Sequence, residues 1–195
     1  MKEEIVIIDY GAGNVKSLEF AFNRLGKEVM VTNNSTIIKN AEKVIFPGVG
    51  RAGSAMEKLK EASLHTLIPN LTQPVLGICL GMQLLCSKTE EDDVKGLGIF
   101  NVEVKRFTPE VKVPQMGWNT VSNVKSPLFK GILENSYMYL VHSYYAPVCK
   151  QTIASSEYGD VYSTALQNEN FYGVQFHPEK SGKVGAQLLK NFIEL

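Results

Sequence analysis

Cysteine is scarce in this sequence: there are three in 195 residues, and Cys79, Cys86 and Cys149 form neither a CxxC pair nor a cysteine–histidine ligand spacing. An odd, widely spaced set argues against a disulfide framework and a structural zinc site and fits a reducing compartment. Net charge is missing as well, since Lys plus Arg and Asp plus Glu both number 20. There is no basic excess to attract nucleic acid or an anionic membrane. No apolar run approaches the length of a membrane span, and Met1-Lys2-Glu3-Glu4 passes straight into a strand pattern, unlike a signal peptide. Together these absences lead us to expect a soluble, cytoplasmic protein with no metal or other cofactor. The chain is long enough to bury a full core and has no repeat, low-complexity tract or linker, so it reads as one domain, 1–195.

What is present is an alternation of apolar runs and amphipathic segments. Glu4 to Tyr10 is a near-continuous apolar run, the pattern of a strand covered on both faces. Gly11-Ala12-Gly13-Asn14 follows, then Val15, Leu18, Phe22 and Leu25 at helical spacing, with Gly26 as a C-terminal cap. A dinucleotide fingerprint is excluded here, because Lys16 stands at the third glycine position and the next strand, Glu28 to Thr32, ends in Asn33 and Asn34 instead of an acid. A strand over Lys43 to Phe46 runs into Pro47-Gly48-Val49-Gly50 and a helix from about Gly53 to Leu59. Strand and helix alternate through residue 85. That predicts an α/β fold with an open, mostly parallel, doubly wound sheet and functional loops at the carboxyl ends of the strands. Glu90 to Lys95 reads as a charged, solvated loop. Beyond Gly96 the pattern changes to alternation over Phe100 to Phe107, Tyr137 to Val141 and Gln151 to Ala154, which predicts a strand-rich, partly antiparallel second half. A last helix, Lys183 to Leu195, carries Val184, Leu188 and Phe192 on one face.

The chemistry centres on Gln73-Pro74-Val75-Leu76-Gly77-Ile78-Cys79-Leu80-Gly81-Met82-Gln83, an apolar strand that turns sharply into a helix. Gly77-x-Cys79-x-Gly81 has the layout of a nucleophile elbow, with the following helix directing N–H groups at the sulfur. A small buried cysteine at a strand end is the bland alternative. A nucleophile needs a base, and the histidines are His65, His142 and His177. His65 lies in a polar stretch and reads as a surface residue, and His142, inside Tyr139-Leu140-Val141-His142, as a structural one. His177 closes the apolar strand Phe171 to Phe176 and is followed by Pro178 and Glu179, which predicts a Cys79-His177-Glu179 relay. Donors for a developing oxyanion are expected from the Leu80 N–H and from the turn at Val49 and Gly50. Gln83, one helical turn after Cys79, is in reach of the same pocket.

Gly-x-Cys-x-Gly with Gln83, a glycine turn upstream and Phe176-His177-Pro178-Glu179 downstream resemble the class I (triad) glutamine amidotransferases over essentially the whole chain. Ile8 to Asn14, Pro47 to Gly50 and Pro114-Gln115-Met116-Gly117-Trp118-Asn119 further resemble the glutaminase subunits of imidazole glycerol phosphate synthase. Gln115 departs from the histidine common in related chains. The resemblance implies hydrolysis of glutamine through a Cys79 thioester, with Gly50, Leu80, Gln83, Ser143 and Tyr144 holding the substrate. It also implies delivery of ammonia to a (βα)8-barrel cyclase subunit in a heterodimer, with Asn14, Trp118, Asn119, Tyr137 and Lys180 facing that partner. Val49 stands where many related glutaminases have glycine, which implies an oxyanion peptide that turns into place when the loaded partner docks. Competing readings are a glutaminase serving another class I synthase, a cysteine peptidase or γ-glutamyl hydrolase on a related fold, and a catalytically silent interaction subunit.

Overall fold

The computed structural model describes residues 5–195. Its first half winds β1 (Ile5–Ile8), α1 (Val15–Arg24), β2 (Val29–Thr32), α2 (Ser35–Asn40), β3 (Lys43–Gly48), α3 (Ala52–Glu61), α4 (Leu64–Leu67), β4 (Val75–Cys79) and α5 (Leu80–Leu85). The second half holds β5 (Cys86–Thr89), β6 (Val94–Lys95), β7 (Phe100–Arg106), β8 (Gln115–Val121), β9 (Ser136–His142), β10 (Tyr144–Pro147), β11 (Thr152–Tyr158), β12 (Asp160–Asn168), β13 (Phe171–Val174) and α6 (Gly182–Glu194). The Glu4 end of the first expected strand lies outside the described residues.

One sheet runs β2-β1-β3-β4-β13-β12-β10-β7-β5-β6, with β11 on β12. From β2 to β13 every neighbour is parallel, whereas β12, β10 and β11 pair antiparallel. The inner parallel strands are apolar on both faces because helices cover both: β1 and β4 are buried at every position. The alternating strands of the second half, such as β9 (Ser136–His142), bury every second residue from Met138 to His142, because only one face packs into the core. β8 and β9 form a separate two-stranded ribbon beside the sheet.

This topology places the site. β3, β4 and β13 are adjacent and parallel, so their carboxyl ends lie side by side. Gly48 is paired with Cys79, and Val174 with Ile78, three residues short of His177. Two sequence readings change. Glu90 to Lys95 is not a free loop: Glu91 Oε2 accepts the Ala52 N–H at 2.9 Å and Asp92 Oδ2 the Gly53 N–H at 3.1 Å, supplying acceptors to orphan donors of α3. His65 in α4 reaches the surface only in part: it is half-buried, with its Nδ1 enclosed and lacking a partner among the described residues.

Candidate active site

Cys79 has φ 55° and ψ −112°, a backbone state that non-glycine residues rarely adopt and that costs on the order of 1–3 kcal/mol. Packing enforces it. A Cβ on Gly81 would stand 2.0 Å from the Phe46 carbonyl oxygen, so only glycine lets the turn cross β3 this closely. The helix that follows is six residues long, too short to give the sulfur the axial field of a full helix. Leu80 opens that helix, so its N–H has no carbonyl partner within the helix and lies on the β3 side, where Gly48 pairs with Cys79.

His177 follows β13 in extended conformation, and its Nδ1 donates to Glu179 Oε1 at 2.9 Å. That bond fixes the tautomer and leaves Nε2 for the sulfur. Burial opposes a charge on His177, but bonding to Cys79 and then to Glu179 outweighs it and raises the imidazolium pKa from 6.5 to about 10. The Glu179 side chain, only 2% exposed, packs against the imidazole and favours its protonated form.

The third strand end is Pro47 to Gly50. The buried Tyr10 at the end of β1 donates its hydroxyl to the Pro47 carbonyl at 2.9 Å, and its ring lies 5.6 Å from Phe46. Burial, reinforced by Cys79, pushes the Tyr10 pKa up and keeps it a donor. Downstream the turn is loose: Val49 is 39% exposed, and Gly50 sits at φ +94° with nothing within 4 Å of a built Cβ.

The strand ends open into a cavity of about 360 Å³. Its lining contains Cys79, His177, Val49, Gly50, Leu80, Gln83, Ser143 and Tyr144, each expected at the site, and Lys180, expected on the partner surface, together with Glu91, Pro114, Val141 and His142, which were not foreseen as lining residues. Glu91 was hidden inside an acidic run that looked solvated, and a backbone contact to α3 turns it inward. His142 keeps the structural role expected of it: Nδ1 donates to the Tyr144 carbonyl at 2.7 Å, and Nε2 lies 3.4 Å from the Tyr162 hydroxyl. Burial lowers its pKa to about 4, so it stays neutral. Gln115 is buried and accepts from the Tyr162 hydroxyl at 2.8 Å, behind the cavity wall. Gln83 is buried too, with its amide nitrogen donating to Tyr144 O and Gln175 Oε1, both at 2.9 Å. Gln175 was missed, because it reads as one polar residue in an apolar strand; its place two residues before His177 was the available signal.

The remaining candidates lie around the rim and on the ribbon. Trp118 and Tyr137 are exposed at 55% and 59%, beside the 66% exposed Met116. Asn119, on the alternate face of β8, donates its amide to the Glu157 carbonyl at 2.9 Å. Asn14 caps α1, accepting the Ser17 N–H at 3.4 Å. Cys86 is fully buried with its thiol pKa pushed up by that burial, leaving it inert.

Residues 6–195 match the family described as Glutamine amidotransferase class-I. The chain is 51% identical over 195 residues to the imidazole glycerol phosphate synthase subunit HisH of Bacteroides thetaiotaomicron, covering 98% of this chain and 100% of that one. It is 52% identical over 192 residues to HisH of Haemophilus influenzae, covering 97% and 96%. Among solved structures it resembles a GMP synthase subunit of Thermoplasma acidophilum, with a TM-score of 0.76 at 20% identity and coverage of 100% and 94%, a likeness of fold. A strained cysteine, a paired histidine and a glycine turn on three adjacent strand ends agree with these matches, and the chain belongs to the class I glutamine amidotransferases, in the branch of the HisH subunits of imidazole glycerol phosphate synthase.

Proposed function

We propose that the single domain 1–195 hydrolyses glutamine at Cys79 and passes the ammonia to a (βα)8-barrel cyclase in a heterodimer, which forms imidazole glycerol phosphate and an aminoimidazole carboxamide ribotide. The observation that carries the chemistry is His177, bound to Glu179 at 2.9 Å on one side and interacting with Cys79 on the other. The Cys79 sulfur attacks the side-chain amide carbon of glutamine, forming a C–S bond and an oxyanion that the Leu80 and Val49–Gly50 N–H groups receive. Collapse breaks the C–N bond as His177 gives its proton to the nitrogen, and ammonia leaves. Water then yields a proton to His177 and attacks the thioester carbon; the C–S bond breaks, releasing glutamate and restoring the thiolate.

The cavity wall suits this substrate. Glu91 is a carboxylate on the lining and can pair with the α-ammonium, while Gln83, Ser143 and Tyr144 line the same cavity and offer further polar groups to the substrate. Lys180 at the mouth and the exposed Trp118 and Tyr137 of the ribbon suit a partner surface, since aromatic side chains concentrate binding energy at interfaces. Among the described residues no helix is long and apolar enough to cross a membrane, in keeping with a cytoplasmic place of action.

The test is glutamate release by the purified chain, alone and with a cyclase partner and its nucleotide ligand. Strong stimulation in the complex is expected, together with a γ-glutamyl adduct on Cys79. Cys79→Ala should remove turnover by ~10⁴-fold or more while the chain still folds. Equal turnover with and without the loaded partner would reject control at the Val49 turn, and an active Cys79→Ala would reject the thioester.

A further inference from the structure

The Cys79 sulfur meets two groups that act in opposite senses. The Val141 carbonyl, 3.7 Å away, accepts from the thiol and favours the protonated form. Gln175 Nε2, 3.8 Å away, is a donor and favours the thiolate. Gln175 is fully buried, with its N–H on the Thr164 carbonyl at 2.8 Å, so the side chain has little freedom to leave.

An amide side chain can usually turn either end toward a neighbour. Here the choice is made by the surrounding network. Gln83 Nε2 has two hydrogens; one goes to the Tyr144 carbonyl and the other to Gln175 Oε1, each at 2.9 Å. With its oxygen engaged, Gln175 can present only its NH₂ to the sulfur.

We propose that Gln175 is a thiolate-stabilising residue of the catalytic site, locked as a donor to Cys79 by Gln83 and the Tyr144 carbonyl. This rests on the reading of Cys79 as nucleophile. It gives Gln83 a role in the empty enzyme, separate from any contact with substrate. It also accounts for the thiolate's support where α5 is too short to supply all of it. The segment leaving β13 delivers Gln175 and, two residues on, His177 to the same sulfur. The other titratable groups facing Cys79 are His177 with Glu179 behind it and Tyr10 just beyond β1, while His142 on β9 feels the charge of His177.

The experiment alkylates the full chain with iodoacetamide, without glutamine or partner, from about pH 5 to about pH 9, reading Cys79 labelling by peptide mass analysis. Gln175→Met keeps length and burial but removes the donor. Labelling of Cys79 at neutral pH should fall by roughly 3–10-fold and its rate–pH profile should move to higher pH, with Cys86 and Cys149 unchanged. Gln175→Glu should move the profile further in the same direction. Gln83→Met should move it less, and the double variant should match Gln175→Met alone, because Gln83 acts through Gln175. If Gln175→Met fails to fold, Gln83→Met carries the same test. A folded Gln175→Met with the parental profile overturns the inference alone, and additive effects in the double variant overturn the lock. No Cys79 labelling in the parent chain overturns the nucleophile reading and this inference with it.

Discussion

The two turns that meet at the cavity are held in different ways. The elbow around Cys79 is fixed by close packing: its backbone lies against β3 so tightly that Gly81 has no room for a methyl group. The Pro47 to Gly50 turn is fixed at its upstream end by the Tyr10 hydroxyl and then runs into open space, with Gly50 at φ +94° and Val49 exposed. One turn stores strain in a closely packed seat, and the other has open space around it. A nucleophile gains from being unable to move, because each displacement costs rate. An oxyanion donor that answers to a partner needs two accessible orientations, and a peptide next to an unobstructed glycine supplies them at low cost.

Two alanine substitutions test this contrast most severely. Gly81→Ala drives a methyl into the Phe46 carbonyl and should cost about 3 kcal/mol or more, seen as a collapse of the melting temperature or as insoluble protein. Gly50→Ala meets no neighbour, so its stability loss should stay near 1–2 kcal/mol from the left-handed backbone alone. Glutaminase turnover of that folded variant should nonetheless drop by roughly 10²-fold in the partner complex, as oxyanion donors go out of place. Similar melting temperatures for the two variants would erase the distinction.

A smaller effect should follow pH. His177 is raised from 6.5 to about 10, so the folded chain binds more protons than the unfolded chain in that window. Its stabilising contribution is complete below pH 6.5 and is lost as pH rises through about 10. His142 is lowered from 6.5 to about 4, so its contribution is complete above 6.5 and is lost as pH falls toward 4. Together they place a maximum of stability near pH 6.5. Denaturation midpoints measured across this range should fall on both sides, with Glu179→Gln flattening the alkaline limb and His142→Gln the acid limb. A midpoint that climbs steadily from neutral to alkaline pH would contradict the paired histidine. The smallest change expected in the free chain is from Trp118→Ala. Its side chain is 55% exposed, so stability should move by less than about 0.5 kcal/mol, while affinity for a cyclase partner, read by titration, should weaken by about 10-fold or more.

Much of this was legible in the sequence. Apolar runs against alternating strands separated the parallel from the antiparallel half, because burial on two faces or one leaves that mark on composition. Gly77-x-Cys79-x-Gly81 announced a tight elbow, and His177-Pro178-Glu179 placed a base and its carboxylate two residues apart, within reach of a local hydrogen bond. Local geometry and periodicity can be read along a chain because they depend on neighbours in sequence.

Tertiary structure alone decided the rest. Cys79 and Gln175 meet across 96 residues, Gln83 and Tyr144 across 61, and Tyr10 and Pro47 across 37, and none of these pairs has a sequence signature. Glu91 became part of the cavity because α3 offered it an N–H 39 residues away. The residue types of the proposed triad are present in the sequence. Which amide faces the sulfur, and which turn has open space beside it, follow from strand order and packing, because hydrogen bonds and excluded volume act between atoms close in space regardless of their distance along the chain.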